Sequence, residues 1–176
     1  LVNDTADAII TESAAAAGQI ATGQLMTVGS ISMLSNGTTP AKTILEIAKE
    51  RKMATGLVTT SGITDATPAA FSAHVAKRAD EAAIAEQQLK LNVDILMGGR
   101  KQFFLPESAG GMRKDGRNLL DEAKKSGYAV VGTESELMVA PAGKTLGLFH
   151  MSNMSYEIDR KLSQEPSLAV MTGEAL

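Results

Sequence analysis

The chain contains no cysteine and no tryptophan. Without cysteine there is no disulfide framework, no thiolate metal site and no thiol nucleophile. Histidine is scarce as well: His74 and His150 are the only two in 176 residues. One copy of this chain therefore cannot build a three-histidine zinc site. Two Tyr and four Phe stand against nine Met, so the core must be mostly aliphatic, with methionine filling irregular gaps. Neither sign of charge dominates: 17 basic and 20 acidic residues leave a net charge of −3. That balance argues against nonspecific binding to nucleic acid as the main role. An apolar fraction of 44% with 21% charge excludes a disordered, highly charged tail. The uncharged run from Ser13 to Ala41 is rich in Gly, Gln, Ser, Thr and Asn. In hydrocarbon it would leave many polar groups unpaired, so no membrane span is expected. No basic stretch leading into an apolar one marks a signal peptide near Leu1.

A chain of this length is one domain or a piece of one, with no internal boundary expected over residues 1–176. Its pattern alternates helix and strand. Thr39 and Pro40 read as N-cap and first residue of a helix to about Lys52, with Ala41, Ile44, Leu45 and Ala48 on one face. Leu57 to Thr60 reads as a short strand. Thr67 and Pro68 repeat the cap-and-proline entry and open a helix that continues past Val75. Asp80 to Leu91 is helical, Asn92 to Met97 is a nearly continuous apolar strand, and Gly98 and Gly99 close it. Asn118 to Lys125 is helical with Gly127 as its stop. Tyr128 to Val131 and Thr145 to Phe149 are further strands, and Ser167 opens a last helix. Strands separated by helices imply an α/β fold: a mostly parallel sheet with helices on both faces.

Chemistry-bearing residues concentrate at three places. Ser13 follows the β-branched Ile9 and Ile10 and precedes Ala14 to Ala17, which puts it at a strand-to-helix turn. There it is either an N-cap or a hydroxyl beside an anion-binding helix terminus. Asp65 and Thr67 offer a carboxylate and a hydroxyl two residues apart. They are hard oxygen donors suited to Mg²⁺, or they cap a helix and complement its dipole. Arg78, about three turns along that helix, is a bidentate phosphate fork or a solvated surface charge. His74 lies one turn earlier and reads as a packed or capped side chain. Gly98-Gly99-Arg100 lacks the features of a phosphate or dinucleotide loop and reads as a turn.

Together these segments resemble the alkaline phosphatase family. Thr11-Glu12-Ser13-Ala14-Ala15 is similar to the family's nucleophile motif, usually Thr-Asp-Ser-Ala. Thr43-Ile44-Leu45-Glu46-Ile47-Ala48, Ala54-Thr55-Gly56-Leu57-Val58-Thr59-Thr60, Asp65-Ala66-Thr67-Pro68-Ala69-Ala70, Ala73-His74-Val75 and Arg78 follow in the family's order. Val93 to Lys101, Asn118 to Gly127, Leu146-Gly147-Leu148-Phe149 and Glu165-Pro166-Ser167-Leu168 extend the match.

The resemblance implies a metal-dependent phosphomonoesterase that works through a phosphoserine, with two Zn²⁺ and one Mg²⁺ per site. Carried over by position, Ser13 is the nucleophile, Arg78 clamps the phosphate, and Asp65 and Thr67 are Mg²⁺ ligands. Glu12 stands where an aspartate usually supports the arginine, one methylene longer than the family's residue. The zinc ligands fall outside the chain, which corresponds to the middle of the family's domain. On its own the segment is expected to turn over negligibly. The implied partners are small phosphate monoesters and inorganic phosphate, with a homodimer possible and a periplasmic or extracellular setting. Two other readings stand beside it: a non-catalytic α/β binding module, and a related phosphodiesterase or sulfatase-like hydrolase.

Overall fold

The computed structural model describes residues 5–160 and 164–176. The chain divides into two compact units. The first takes the chain up to Thr55 and again from Thr64 to Asn92; the second takes Gly56–Ile63 and everything from Val93 onward.

The first unit is built of helices. Helix α1 (Ser13–Thr22) forms on the alanine run at 14–17, the residue with the highest helix propensity. It ends at Gly23, whose φ of +72° supplies the left-handed turn. Helix α2 (Ile44–Glu50) starts after Thr43, not at Thr39. The reason is a reciprocal cap: Glu46 N–H donates to Thr43 Oγ1 at 3.2 Å, and Thr43 N–H donates to Glu46 Oε2 at 2.7 Å. Pro40 instead lies in an antiparallel bridge with Met33. Helix α3 (Ala66–Ser72) is capped by Asp65, which accepts from Ala66 N–H, so Thr67 lies inside the first turn. Pro68 is tolerated there because first-turn N–H groups have no intrahelical partner. The helix stops at Ser72 rather than passing Val75, which lies in an antiparallel bridge with Ile31. Helix α4 (Glu81–Lys90) falls where the pattern placed it. Ala14, Ala66, Ala69 and Ala73 pack with Ile31, Val75 and Ile84 into one core. Small side chains let α1 and α3 approach closely, and full burial of Ile31 and Ile84 contributes about 1.5–3 kcal/mol each.

The second unit is a sheet of strands β1 (Gly56–Gly62), β2 (Ile95–Gly99), β3 (Ala129–Val131) and β4 (Thr145–Leu148). The spatial order is β1-β2-β4-β3 and every pairing is parallel. Helices α5 (Leu119–Lys125), α6 (Glu134–Met138) and α7 (Leu168–Ala175) complete it. This is the expected α/β class. The register aligns Leu57, Leu96, Leu146 and Val130 in one aliphatic row across the sheet. Met97, Met154 and Met171 share a core with Val131, Leu137 and Phe149, the gap-filling role the scarcity of aromatics implied. Gly98 and Gly99 belong to β2 itself rather than to a turn after it. A Cβ on Gly99 would stand 2.3 Å from the Ser152 carbonyl oxygen, so close backbone approach is what requires glycine there. Helix α6 escaped the sequence pattern because it is five residues long and buries only Leu137. Among the described residues no helix is long and apolar enough to cross a membrane.

Candidate functional site

The site lies in the first unit, at the start of α1. Its N-cap is Glu12, not Ser13, and no strand leads into it: Ile9 and Ile10 are 84% and 81% exposed and carry no regular structure. The Glu12 carboxylate accepts from Ala14 N–H and Ala15 N–H, both at 2.8 Å. The same carboxylate accepts from Gly29 N–H at 3.0 Å and from Arg78 Nη1 at 2.7 Å. The helix terminus therefore spends its N2 and N3 donors on an internal anion. Ser13, at the first helical position, is left exposed with its hydroxyl beside the cluster. Burial works against ionisation of Glu12. The N–H groups of Ala14, Ala15 and Gly29 and the Arg78 guanidinium outweigh it and hold the pKa below the ordinary 4.5.

Arg78 comes from a different kind of element than its spacing suggested. It does not ride on α3. After α3 the chain meets residues 29–32 in an isolated antiparallel bridge and then turns: Ile31 N–H donates to Val75 O at 2.9 Å, Val75 N–H returns a bond to Ile31 O at 3.1 Å, and Arg78 N–H donates to Gly29 O at 2.8 Å. This short ribbon aims Arg78 at α1. Its Nη1 reaches Ser13 Oγ at 2.6 Å and Glu12 Oε2 at 2.7 Å, and its Nη2 reaches Asp65 Oδ1 at 3.0 Å. Four of the five expected site residues, Glu12, Ser13, Asp65 and Arg78, thus converge. Thr67 sits exposed on the first turn of α3, two residues from Asp65.

Sequence reasoning missed Gly29, which links both halves: its N–H holds Glu12 and its carbonyl holds the Arg78 backbone. Its φ of +77° favours glycine. A lone glycine in Thr27-Val28-Gly29-Ser30 carries no local signal of that role. Thr64, fully buried before Asp65, donates to Glu81 Oε2 at 2.6 Å and fixes the approach to α3.

The cluster sets one guanidinium against two carboxylates. A phosphate dianion entering beside Ser13 meets a net negative charge, so further positive charge is needed to hold it. The Asp65 carboxylate and Thr67 hydroxyl are the oxygen-donor chemistry Mg²⁺ takes. Among the described residues no group of three or more His, Cys, Asp or Glu side chains is placed to hold a metal ion.

The family model described as alkaline phosphatase matches residues 2–176. The repressible alkaline phosphatase of Saccharomyces cerevisiae is 38% identical over 191 residues, covering 98% of this chain and 34% of its own. Alkaline phosphatase 3 of Bacillus subtilis is 39% identical over 173 residues, covering 95% and 35%. The crystal structure of Thermus thermophilus alkaline phosphatase matches with a TM-score of 0.91 at 36% identity, over 99% of this chain and 36% of that one. A TAB5 alkaline phosphatase variant, with a TM-score of 0.79 and 28% identity over 97% and 49%, is described with Mg bound in its M3 site. The chain spans about a third of the length of the curated relatives it matches.

Proposed function

Because the chain belongs to the alkaline phosphatase family, we propose that the protein hydrolyses phosphate monoesters with Ser13 as nucleophile. The observation that carries this reading is the 2.6 Å contact between Arg78 Nη1 and Ser13 Oγ. A hydroxyl in contact with a guanidinium puts a phosphoryl group attached to it within reach of the same cation.

In the proposed sequence Ser13 Oγ attacks phosphorus opposite the leaving alcohol. The new Oγ–P bond forms as the ester P–O bond breaks, and the proton released from Ser13 Oγ ends on the departing alkoxide oxygen. Water then attacks the phosphoserine, its oxygen enters the released phosphate, and Ser13 recovers a proton. Arg78 holds nonbridging oxygens through both steps. Glu12 and Asp65 hold Arg78, so its orientation is set before substrate arrives. Little covalent work falls to the protein; position and charge dominate. Asp65 and Thr67 would hold Mg²⁺, whose charge would offset the negative charge gathered on the phosphoryl oxygens. Zinc ligands come from chain outside residues 1–176, and the isolated segment turns over negligibly. A periplasmic or extracellular setting and a homodimer belong to the same proposal.

The test uses the full-length protein. Turnover of p-nitrophenyl phosphate, with much slower turnover of a bis-ester and of the sulfate ester, is the expected outcome. Labelled phosphate trapped at low pH should lie on Ser13 and be absent from Ser13→Ala. Label on another residue would overturn the assignment. Preference for the diester or sulfate would favour the rival hydrolase classes, and absence of any turnover a binding module.

A further inference from the structure

Resting on the reading of Arg78 as the phosphate clamp, we propose that His74, paired with Glu46, is a positioning residue that sets the register of the segment carrying Arg78. Residues 74–78 have no helix of their own and hang on the ribbon with residues 29–32. His74 ties down the end of that ribbon farthest from Arg78. Its N–H donates to Gln87 Oε1 at 2.7 Å, and its carbonyl accepts from Gln87 Nε2 at 3.0 Å. Its ring Nδ1 lies 2.9 Å from the Ser32 carbonyl, and its Nε2 lies 3.1 Å from Glu46 Oε1. One residue thus joins α2, α4 and the ribbon.

Both ring nitrogens face acceptors, and a carbonyl can only accept, so Nδ1 is the donor toward Ser32. Ser32 is itself immobilised: it is fully buried at φ +44°, its hydroxyl donates to Ala70 O, and its carbonyl also accepts from Ala41 N–H. Glu46 is equally fixed, because its second oxygen closes the α2 cap. The charged group facing the ring is Glu46, from α2; α4 presents the uncharged Gln87, and α3 carries no ionisable side chain.

Register gives these ties a consequence at the site. The segment pairs with residues 29–32 through one isolated bridge, Ile31 with Val75, and through the Arg78 N–H bond to Gly29 O. A slip of 74–78 against 29–32 would break both and displace Arg78 from Ser13. An apolar side chain at 74 could fill the same space, but it would fix no register. Glu12 and Asp65 alone cannot recover the loss, since they hold the guanidinium and not the backbone that delivers it.

The experiment is a double-mutant cycle in the full-length holoenzyme, read as the inhibition constant for inorganic phosphate. Arg78→Ala is measured in parallel and should raise that constant strongly. His74→Ala should raise it about 10-fold, the usual scale for residues that orient a ligand from behind. In the Arg78→Ala background the same change should add less than about 2-fold, because its effect runs through the arginine. Glu46→Gln keeps the α2 cap and should show a smaller effect with the same non-additivity; it carries the cycle alone where His74→Ala does not fold. A shift below 2-fold from either variant in the wild-type background, beside a strong Arg78→Ala effect, would overturn the positioning role and leave the clamp intact. Full additivity with Arg78→Ala would also overturn it, marking the histidine as general scaffolding. An unchanged constant in Arg78→Ala itself would remove the clamp, and this inference with it.

Discussion

Glu12→Gln is the substitution whose outcome the site geometry constrains most closely. It preserves shape and removes one acceptor. Glu12 accepts four hydrogen bonds, and all four partners are donors: three backbone N–H groups and a guanidinium. An amide offers one oxygen and one NH₂, so one pair of donors must face a third donor. The conflict falls either on Ala15 and Gly29 or on Ala14 and Arg78. Loss of a charge-assisted bond costs about 1.5–3 kcal/mol. The carboxylate is 29% exposed, so water relieves part of the mismatch, and a net destabilisation of about 2 kcal/mol is expected. Urea unfolding of the full-length variant checks it, through the midpoint at unchanged slope. Phosphate inhibition should weaken in parallel, since Arg78 loses one of its two carboxylates. The pH dependence has a fixed sign. Glu12 titrates below 4.5 in the folded chain, so its contribution is complete above that value and fades as pH falls through the folded pKa. The gap between wild type and Glu12→Gln should persist at pH 7 and close in acid. A variant within 0.5 kcal/mol of wild type at pH 7 (roughly the scatter for a featureless surface change), with unaltered phosphate inhibition, would refute the reasoning.

Other substitutions test separate parts of the structure. Asp65→Asn in the full-length protein should raise the Mg²⁺ concentration for half-maximal turnover about 10-fold or more; an unchanged Mg²⁺ titration counts against a ligand role. Gly99→Ala should destabilise the second unit by about 3 kcal/mol, because the new methyl meets the Ser152 carbonyl at 2.3 Å and backbone must move. Calorimetry on that variant reads the outcome, and a wild-type melting temperature would show that the β2 approach is looser than described. Leu96→Ala, at a fully buried position in the central aliphatic row, should cost about 2–5 kcal/mol by the same measurement; a cost under 1 kcal/mol would place little of the stability in that row.

The sheet was legible because its strands announce themselves. Leu57, Leu96, Val130 and Leu146 sit in short apolar runs between turn residues, and the runs alternate with amphipathic helices. Helix ends were less legible, since several residues competed for each cap. At Thr39-Pro40 and at Thr67-Pro68 the proline drew the boundary toward itself. The hydrogen-bonding partners put it elsewhere: Glu46 reaches back to Thr43, and the Asp65 carboxylate reaches Ala66 N–H. Capping is decided by which side chain can bond the first free N–H groups, and a proline only removes one of them.

The site divides along the same line. Near Ser13 and Asp65 the sequence supplied residue types but left capping and chemistry as alternatives, because a hydroxyl or carboxylate beside a helix start serves either; what the structure adds is their convergence with Arg78. Arg78 could not be placed from sequence, because counting turns along one continuous helix carries it past the true end of α3. It reaches Ser13 through a strand-like detour whose partner, residues 29–32, lies more than 40 positions earlier in the chain. No periodicity encodes such a pairing, since each side contributes only two or three bonded residues. What the sequence does hold is the set of residues that fix it once formed: a glycine able to take φ +77°, a histidine bonded on both ring nitrogens, and a glutamate long enough to span from the α1 terminus to Gly29. The extra methylene of Glu12 then has a physical role. An aspartate caps a helix as well, but the longer arm of Glu12 lets one carboxylate meet the α1 N–H groups, Gly29 N–H and Arg78 together. Glu12→Asp should therefore keep the α1 cap and the support of Arg78 while losing the bond to Gly29 N–H: urea unfolding of the full-length variant should show a smaller loss than Glu12→Gln with phosphate inhibition near wild type, and a loss as large as that of Glu12→Gln would refute it.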